Sequence, residues 1–131
     1  MAFFQRTSFY ICIGRIKKMH ELSIATSIVK TAETEVKKIN GESVSAIYLE
    51  IGQLSGVEVS ALEFVWKPCV ERSVLQNAQL FIDQPKGQAQ CAECNSKFPI
   101  EHYFDSCPAC GSPFKKIISG RELKIKKLII H

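Results

Sequence analysis

The sequence predicts an α+β fold, in which two helices cover a small sheet and a four-cysteine zinc-ribbon module is inserted before the C-terminal strand. Three observations predict it. Segments with apolar residues every three or four positions alternate twice with segments in which every second residue is apolar. Two Cys-x-x-Cys pairs follow. The chain then ends in another alternating apolar segment, which needs a sheet to join.

The first helix and the first strand are predicted between residues 24 and 52. Apolar residues recur on one helical face from Ile24 to Ile39, and polar residues fill the opposite face. Ser23 is the predicted N-cap, and Gly41 follows the last turn as a stop signal. From Val44 to Gly52 the period changes to two, which predicts a half-buried strand.

A second helix and a second strand follow. The segment from Ser60 to Glu63 matches a capping box and is expected to open the helix. Pro68 is expected to kink or break that helix, because proline lacks an N–H and clashes with the preceding turn. The segment Ala78–Asp83 is the predicted second strand.

The cysteine-containing segment divides the predicted domain in two. The Pro and Gly residues near position 86 mark a boundary, and we expect residues 87–119 to form the metal module. Residues 19–86 form the α+β domain, which the strand within 120–131 completes. In that last strand Leu128 and Ile130 are out of phase with the apolar residues before them. A bulge near Lys126, or exposure of the strand tip, would each explain this.

Four of the six cysteines have the spacing of a zinc site. Cys91 and Cys94 form one pair and Cys107 and Cys110 the other, with twelve residues between the pairs. Each Cys-x-x-Cys turn presents two thiolates to one ion, and four thiolates leave no open position, so the predicted role is structural. Disulfides or an iron centre of rubredoxin type are the alternatives for the same four residues.

The basic residues of the chain are unevenly placed. The net charge of +4 belongs to residues 1–18, because residues 19–131 contain 13 basic and 13 acidic residues. The leader places Lys17 and Lys18 after the apolar stretch and has no small-residue cleavage site, which argues against export and favours the cytoplasm. No run reaches the ~20 apolar residues that a membrane helix needs. A local basic cluster lies between Lys115 and Lys127, but residues 19–131 are neutral and the knuckles have no interleaved aromatic and basic residues, which argues against nucleic-acid binding.

Residues 1–18 are either a genuine extension or the product of a start codon placed too early, and we expect translation to begin at Met19. In that case His20 becomes the second residue of the protein. Its imidazole, its backbone nitrogen and the terminal amine can then close adjacent chelate rings on one ion. Planar nitrogen coordination of this kind suits Ni(II) or Cu(II). Without a free amine nearby, a lone histidine is usually solvated.

From residue 19 onward the chain resembles the HypA/HybF family of nickel metallochaperones that serve hydrogenase maturation. The motifs that carry the resemblance follow the family's order along the chain. They are Met19-His20-Glu21-Leu22-Ser23, Ile51-Gly52-x-x-Ser55-Gly56-Val57, Leu62-x-Phe64, the strand Ala78–Pro85, both Cys-x-x-Cys pairs with Cys107-Pro108-x-Cys110-Gly111-Ser112, and Gly120-x-Glu122-Leu123-x-Ile125.

The resemblance implies a function and a set of ligands. His20 would be the principal nickel ligand, Glu21 would contribute its backbone nitrogen, and Glu58 matches an acidic position implicated near nickel. The protein would work with the GTPase HypB and deliver Ni(II) to the large subunit of a [NiFe]-hydrogenase, and some members of the family also serve urease. We expect no enzymatic activity, because no nucleophile–base pair or nucleotide-binding loop is evident. A zinc-ribbon nucleic-acid binder and a structural zinc adaptor are the competing functions.

Overall fold

The structure is a computed structural model and describes residues 9–10 and 21–131. It confirms the predicted fold class, with two helices on a four-stranded sheet and a three-stranded metal module inserted before the last strand. Neither helix in the described part of the chain has the length and apolar character needed to span a bilayer. The elements in chain order are β1 (Phe9–Tyr10), α1 (Glu21–Lys38), β2 (Val44–Ile51), α2 (Val59–Val70), β3 (Gln79–Asp83), β4 (Gln88–Cys91), β5 (Lys97–Pro99), β6 (Lys115–Ser119) and β7 (Leu123–Ile130).

The larger sheet has the strand order β1-β7-β2-β3. Strands β2 and β3 are parallel and are joined through α2, as parallel neighbours require a crossover. The C-terminal strand β7 pairs antiparallel with β2, so the end of the chain lies inside the sheet. On its other side β7 pairs with the two residues of β1, where Phe9 is opposite Ile125.

Helix α1 starts and ends differently from its prediction. It already includes Glu21, and Ser23 lies inside it with its carbonyl accepting a bond from the Ser27 hydroxyl, so the predicted cap at Ser23 is wrong. At the other end Asn40 takes the left-handed conformation with φ 55°, and the N–H of Gly41 bonds to the carbonyl of Val36. This is a Schellman motif that has asparagine where glycine is more common.

Helix α2 begins before the predicted capping box and passes through the predicted break. Glu58 occupies the N-cap without a side-chain cap bond, and Ser60 lies in the first turn. Pro68 lies within the helix, which ends at Val70. Because only two helical residues follow Pro68 and both Trp66 and Val70 are buried, packing holds the last turn in place despite the missing N–H.

A β-bulge explains the phase change in β7. Tyr48 of β2 is opposite Lys127, while the next residue, Leu49, is opposite Ile125, so Lys126 is the extra residue. The bulge turns the residues after it by one position, and Leu128 therefore joins Ile125 on the buried face. The sequence allowed either a bulge near Lys126 or an exposed strand tip, and the structure confirms the bulge.

The helices cover one face of the sheet and leave the other face open. The buried cluster between them contains residues from both helices, from β2 and β7 and from the segment after α2, and the partly buried apolar residues of β3 pack against it. Its largest fully buried members are Ile24, Ile28, Ile47, Leu49, Ile51, Leu62, Leu75, Ile125, Leu128 and Ile130. On the open face the rings of Tyr48 and Phe81 stack 4.6 Å apart, and the Lys127 ammonium lies 4.2 Å from the Tyr48 ring centre. Burial on one face only matches the period-two pattern of the sequence.

The metal module is a separate three-stranded sheet with the order β5-β4-β6 and its own small core. That core contains Leu54, which comes from the loop after β2 and not from the module itself. The loop is fastened by backbone bonds, in which Gln53 donates to Pro85 and Leu54 donates to Gly120. The module is therefore joined to the α+β domain through this loop as well as through its two chain connections.

Glycines allow the loop after β2 to approach the two chain connections of the module closely, in a region that we call the joint. A Cβ on Gly52 would overlap the carbonyl group of Gly120. Gly120 has a φ of 108°, and a Cβ there would lie 2.7 Å from the Cα of Gly87. Side chains at these positions would force the two connecting segments apart, so the joint depends on their absence.

Candidate metal centre

The structure brings the four predicted cysteines together. Their sulfur atoms all lie within 4.8 Å of one another, with 3.5 Å between Cys91 and Cys110 and 3.6 Å between Cys94 and Cys107. Four sulfurs at ~2.3 Å from one tetrahedral zinc ion would lie about 3.8 Å apart, so these two distances are close to those of such a site. Within the described residues, this is the group whose donor atoms are close enough to share an ion.

The first knuckle follows strand β4, which ends at Cys91. The backbone N–H groups of Cys94 and Glu93 point at the Cys91 sulfur, at 3.5 Å and 3.4 Å, and they lower the pKa of Cys91 by stabilising its thiolate. The turn is closed by Asn95, which takes a positive φ of 61° and donates to the Cys91 carbonyl. The turn thus prepares Cys91 to act as an anionic ligand.

The exposed cysteines differ in how readily they lose a proton. The Ser96 hydroxyl lies 3.2 Å from the Cys94 sulfur, and this contact lowers the pKa of Cys94 to about 6. For Cys110, the backbone N–H of Ser112 lowers the pKa, but the hydrogen bond with Cys91 and desolvation outweigh it and raise the pKa to about 12. A metal ion that binds all four sulfurs must therefore displace the proton of Cys110.

The second knuckle is closed by backbone bonds around Cys107. Its N–H donates to the carbonyl of Ser112, and its carbonyl accepts from the N–H of Gly111 at 2.7 Å. Gly111 has a φ of 75° with open space around it, so its conformation and not steric crowding favours glycine there. Cys91 and Cys107 are buried against the module core, while Cys94 and Cys110 face solvent.

The comparison with protein families decides the kind of protein that carries this site. A family model described as hydrogenase/urease nickel incorporation, metallochaperone, HypA, matches residues 19–130. The chain belongs to the HypA family. It is accordingly a nickel metallochaperone of hydrogenase maturation.

Curated HypA proteins and solved HypA structures are similar over the same region. The hydrogenase maturation factor HypA of Geobacter metallireducens is 43% identical over 113 residues, which are 86% of this chain and 100% of that protein. The HypA of Geobacter sulfurreducens is 40% identical over the same shares of both chains. The solution structure of the nickel metallochaperone HypA from Helicobacter pylori covers 86% of this chain and 97% of its own, at 25% identity and a TM-score of 0.63.

Only some of the nickel ligands implied by the resemblance to HypA lie within the described residues. His20 lies outside them. Glu21 is the first described residue of α1 and is half-buried, and Glu58 is exposed at the start of α2. The structure therefore places two predicted ligands at helix starts and leaves their assignment as a prediction.

Sequence reasoning missed the residues that support the cysteines. Ser96 and Ser112 flank the two knuckles and contact the ligand loops through their hydroxyl or backbone groups. Their positions, two residues after Cys94 and Cys110, are a signal that the sequence did contain. Leu54, by contrast, lies more than thirty residues before the module and carries no local signal of its place in the module core.

Proposed function

We propose that this protein binds Ni(II) at its Met19-His20-Glu21 segment and passes it to the hydrogenase maturation machinery, while a structural Zn²⁺ at the four cysteines holds the module folded. The match of residues 19–130 to the HypA family carries the nickel function. The sulfur positions support the second metal, because their spacing suits a closed tetrahedral site. Zinc is the expected ion, since two Cys-x-x-Cys pairs are a usual ligand set of structural zinc sites.

For nickel, the proposed ligands are the His20 imidazole, the backbone nitrogens of His20 and Glu21 and, in a protein that begins at Met19, the terminal amine. Glu58 is a further proposed ligand. Backbone nitrogens bind Ni(II) only when deprotonated, so protonation favours release. A site at a chain start is also accessible to the competing ligands of a partner, as a delivery protein requires.

The proposed partners are a HypB-type GTPase and the large subunit of a [NiFe]-hydrogenase, with urease maturation proteins as further candidates. We place this exchange in the cytoplasm and assign the protein no enzymatic activity, nucleic-acid partner or membrane partner. The proposed division of labour follows the domains, in which residues 19–86 with 120–131 bind nickel and residues 87–119 bind zinc.

Isothermal titration with Ni(II) tests the nickel site in three proteins. These are the chain that begins at Met19, its His20→Ala variant and the full chain with residues 1–18. We expect His20→Ala to abolish specific nickel binding while zinc content stays the same, because the four proposed zinc ligands are the cysteines of residues 87–119. The full chain should bind nickel more weakly, because an amide replaces the amine.

His102→Ala is the matched control, since His102 is an exposed histidine within the zinc module. Its removal should leave nickel affinity unchanged. Nickel binding by His20→Ala as tight as that of its parent would place the site elsewhere. Equal affinity of the short and full chains would exclude the amine as a ligand.

A further inference from the structure

The loop between β2 and α2, residues 52–58, is the part of the α+β domain that the metal module holds directly. The Leu54 side chain is 7% exposed and lies in the buried cluster that contains Cys91 and Cys107. Two of the four metal ligands therefore share a core with a residue of the other domain. A change in that core on metal loss would reach Leu54 without passing through the rest of the chain.

Both backbone polar groups of Leu54 are also occupied. Its N–H donates to the Gly120 carbonyl at 2.6 Å, and its carbonyl accepts the Tyr103 hydroxyl at 2.6 Å. Tyr103 lies between the two knuckles, so this hydrogen bond links a side chain of the module to the loop. The hydrogen bond gives the carbonyl of a buried residue a partner. Leaving such a carbonyl without a partner lowers the free energy of unfolding of the protein.

The turn that carries Tyr103 is tied to the metal site. The Asp105 carboxylate accepts the N–H groups of Glu101 at 2.8 Å and of His102 at 3.1 Å, which closes the turn around Tyr103. The metal ligand Cys107 follows two residues later and is buried. The position of the Tyr103 hydroxyl is therefore set by a turn that ends beside a metal ligand.

The loop leads into Glu58, one of the proposed nickel ligands. Glu58 follows Leu54 by four residues, and its carbonyl accepts the N–H of Leu62 in the first turn of α2. The order of the loop therefore bears on the position of Glu58 at the start of α2.

We propose that Tyr103 is a positioning residue that makes the order of loop 52–58 depend on metal occupancy of the four-cysteine site. With zinc bound, the module core holds Leu54 and the Tyr103 hydroxyl holds its carbonyl. Without zinc, both restraints are lost together, and the segment that leads into Glu58 is released. The consequence for nickel rests on the proposed role of Glu58, whereas the coupling of zinc to the loop does not.

Hydrogen exchange of loop 52–58, measured without nickel, tests the coupling. The samples are the full chain and its Tyr103→Phe variant, each zinc-loaded and zinc-free, with zinc content measured first. Tyr48→Phe is the matched control, because the Tyr48 ring stacks on Phe81 on the open face of the sheet and not in the core that holds Leu54. In zinc-loaded protein, Tyr103→Phe should raise exchange in the loop about tenfold, the size of one ordinary hydrogen bond.

The decisive comparison is the zinc-free one. Zinc removal should raise exchange in the parent, and the difference between parent and Tyr103→Phe should then disappear, which a hydroxyl with a merely structural role would not produce. Equal exchange of the zinc-loaded parent and variant would overturn the proposal, as would a difference that persists without zinc. Loss of zinc from Tyr103→Phe would also overturn it, because the hydroxyl is proposed to act downstream of the metal. Since nickel is absent from the experiment, these outcomes do not depend on the nickel site.

Discussion

Leu54→Ala should separate the stability of the metal module from that of the α+β domain. The side chain is almost fully buried in a core of few residues, with its Cδ1 close to Gly87 and Gly120. Truncating a leucine in such a position costs about 2–5 kcal/mol, and the upper half of that range applies where neighbours cannot collapse into the space. The backbones of Gly87 and Gly120 cannot move into the space as side chains can. We therefore expect the substitution to lower the stability of the module by about 3–5 kcal/mol.

Two signals report on the two parts during urea unfolding. Trp66 is the single tryptophan and is buried in the α+β core, so its fluorescence follows that domain. Zinc release to a chromogenic chelator follows the module. Leu54→Ala should shift zinc release to much lower urea and leave the Trp66 transition closer to that of the parent. Leu22→Ala, which removes a leucine that is 54% exposed, is the control. The reasoning is wrong if Leu54→Ala releases zinc at the same urea concentration as this control.

Two further substitutions and one deletion test other parts of the fold. Cys107→Ala should lose zinc and protease resistance in residues 87–119 while Trp66 fluorescence stays native, because a module of this size has too little core to fold without metal; a full zinc equivalent in this variant would contradict the ligand assignment. Deletion of Lys126 removes the extra residue of the bulge and leaves Leu128 opposite Ile47 on the buried face, so the free energy of unfolding reported by Trp66 should change little; a loss of several kcal/mol, at about 2–5 for each buried side chain turned to the open face, would argue against the register. Gly52→Ala should destabilise the joint by about 1–3 kcal/mol, because its Cβ would overlap the Gly120 carbonyl; zinc release unchanged from the parent would show that the joint can yield.

Periodicity predicted the elements well, because the burial that creates the pattern is the same burial that stabilises the fold. Strand Val44–Ile51 agrees with its alternation to within a residue. Helix ends were predicted less well. Ser23 and Ser60 have the chemistry of caps, yet each lies within a helix, because the residues just before them can also be helical and packing decides where the first turn begins.

The metal ligands were predictable because a knuckle is local, with two cysteines and a turn within four residues. The joint was not predictable for the opposite reason. Leu54 and Tyr103 are 49 residues apart, and nothing in either neighbourhood distinguishes them from an ordinary loop leucine and an ordinary surface tyrosine. Long-range contacts between irregular segments leave no periodic trace in a single sequence.

The position of β7 inside the sheet has a consequence for synthesis of the protein. Ser45 and Ile129 meet across β2 and β7 although 84 residues separate them, so β2 cannot pair with β7 until the residues between them have been synthesised. Closing a loop of that length is slow compared with forming local contacts. Most of the intervening cysteine module is made before β7, and a zinc ion bound early would draw residues 91 and 110 together and shorten the loop that remains to be closed. In such a chain the zinc supply would influence how quickly the α+β domain folds.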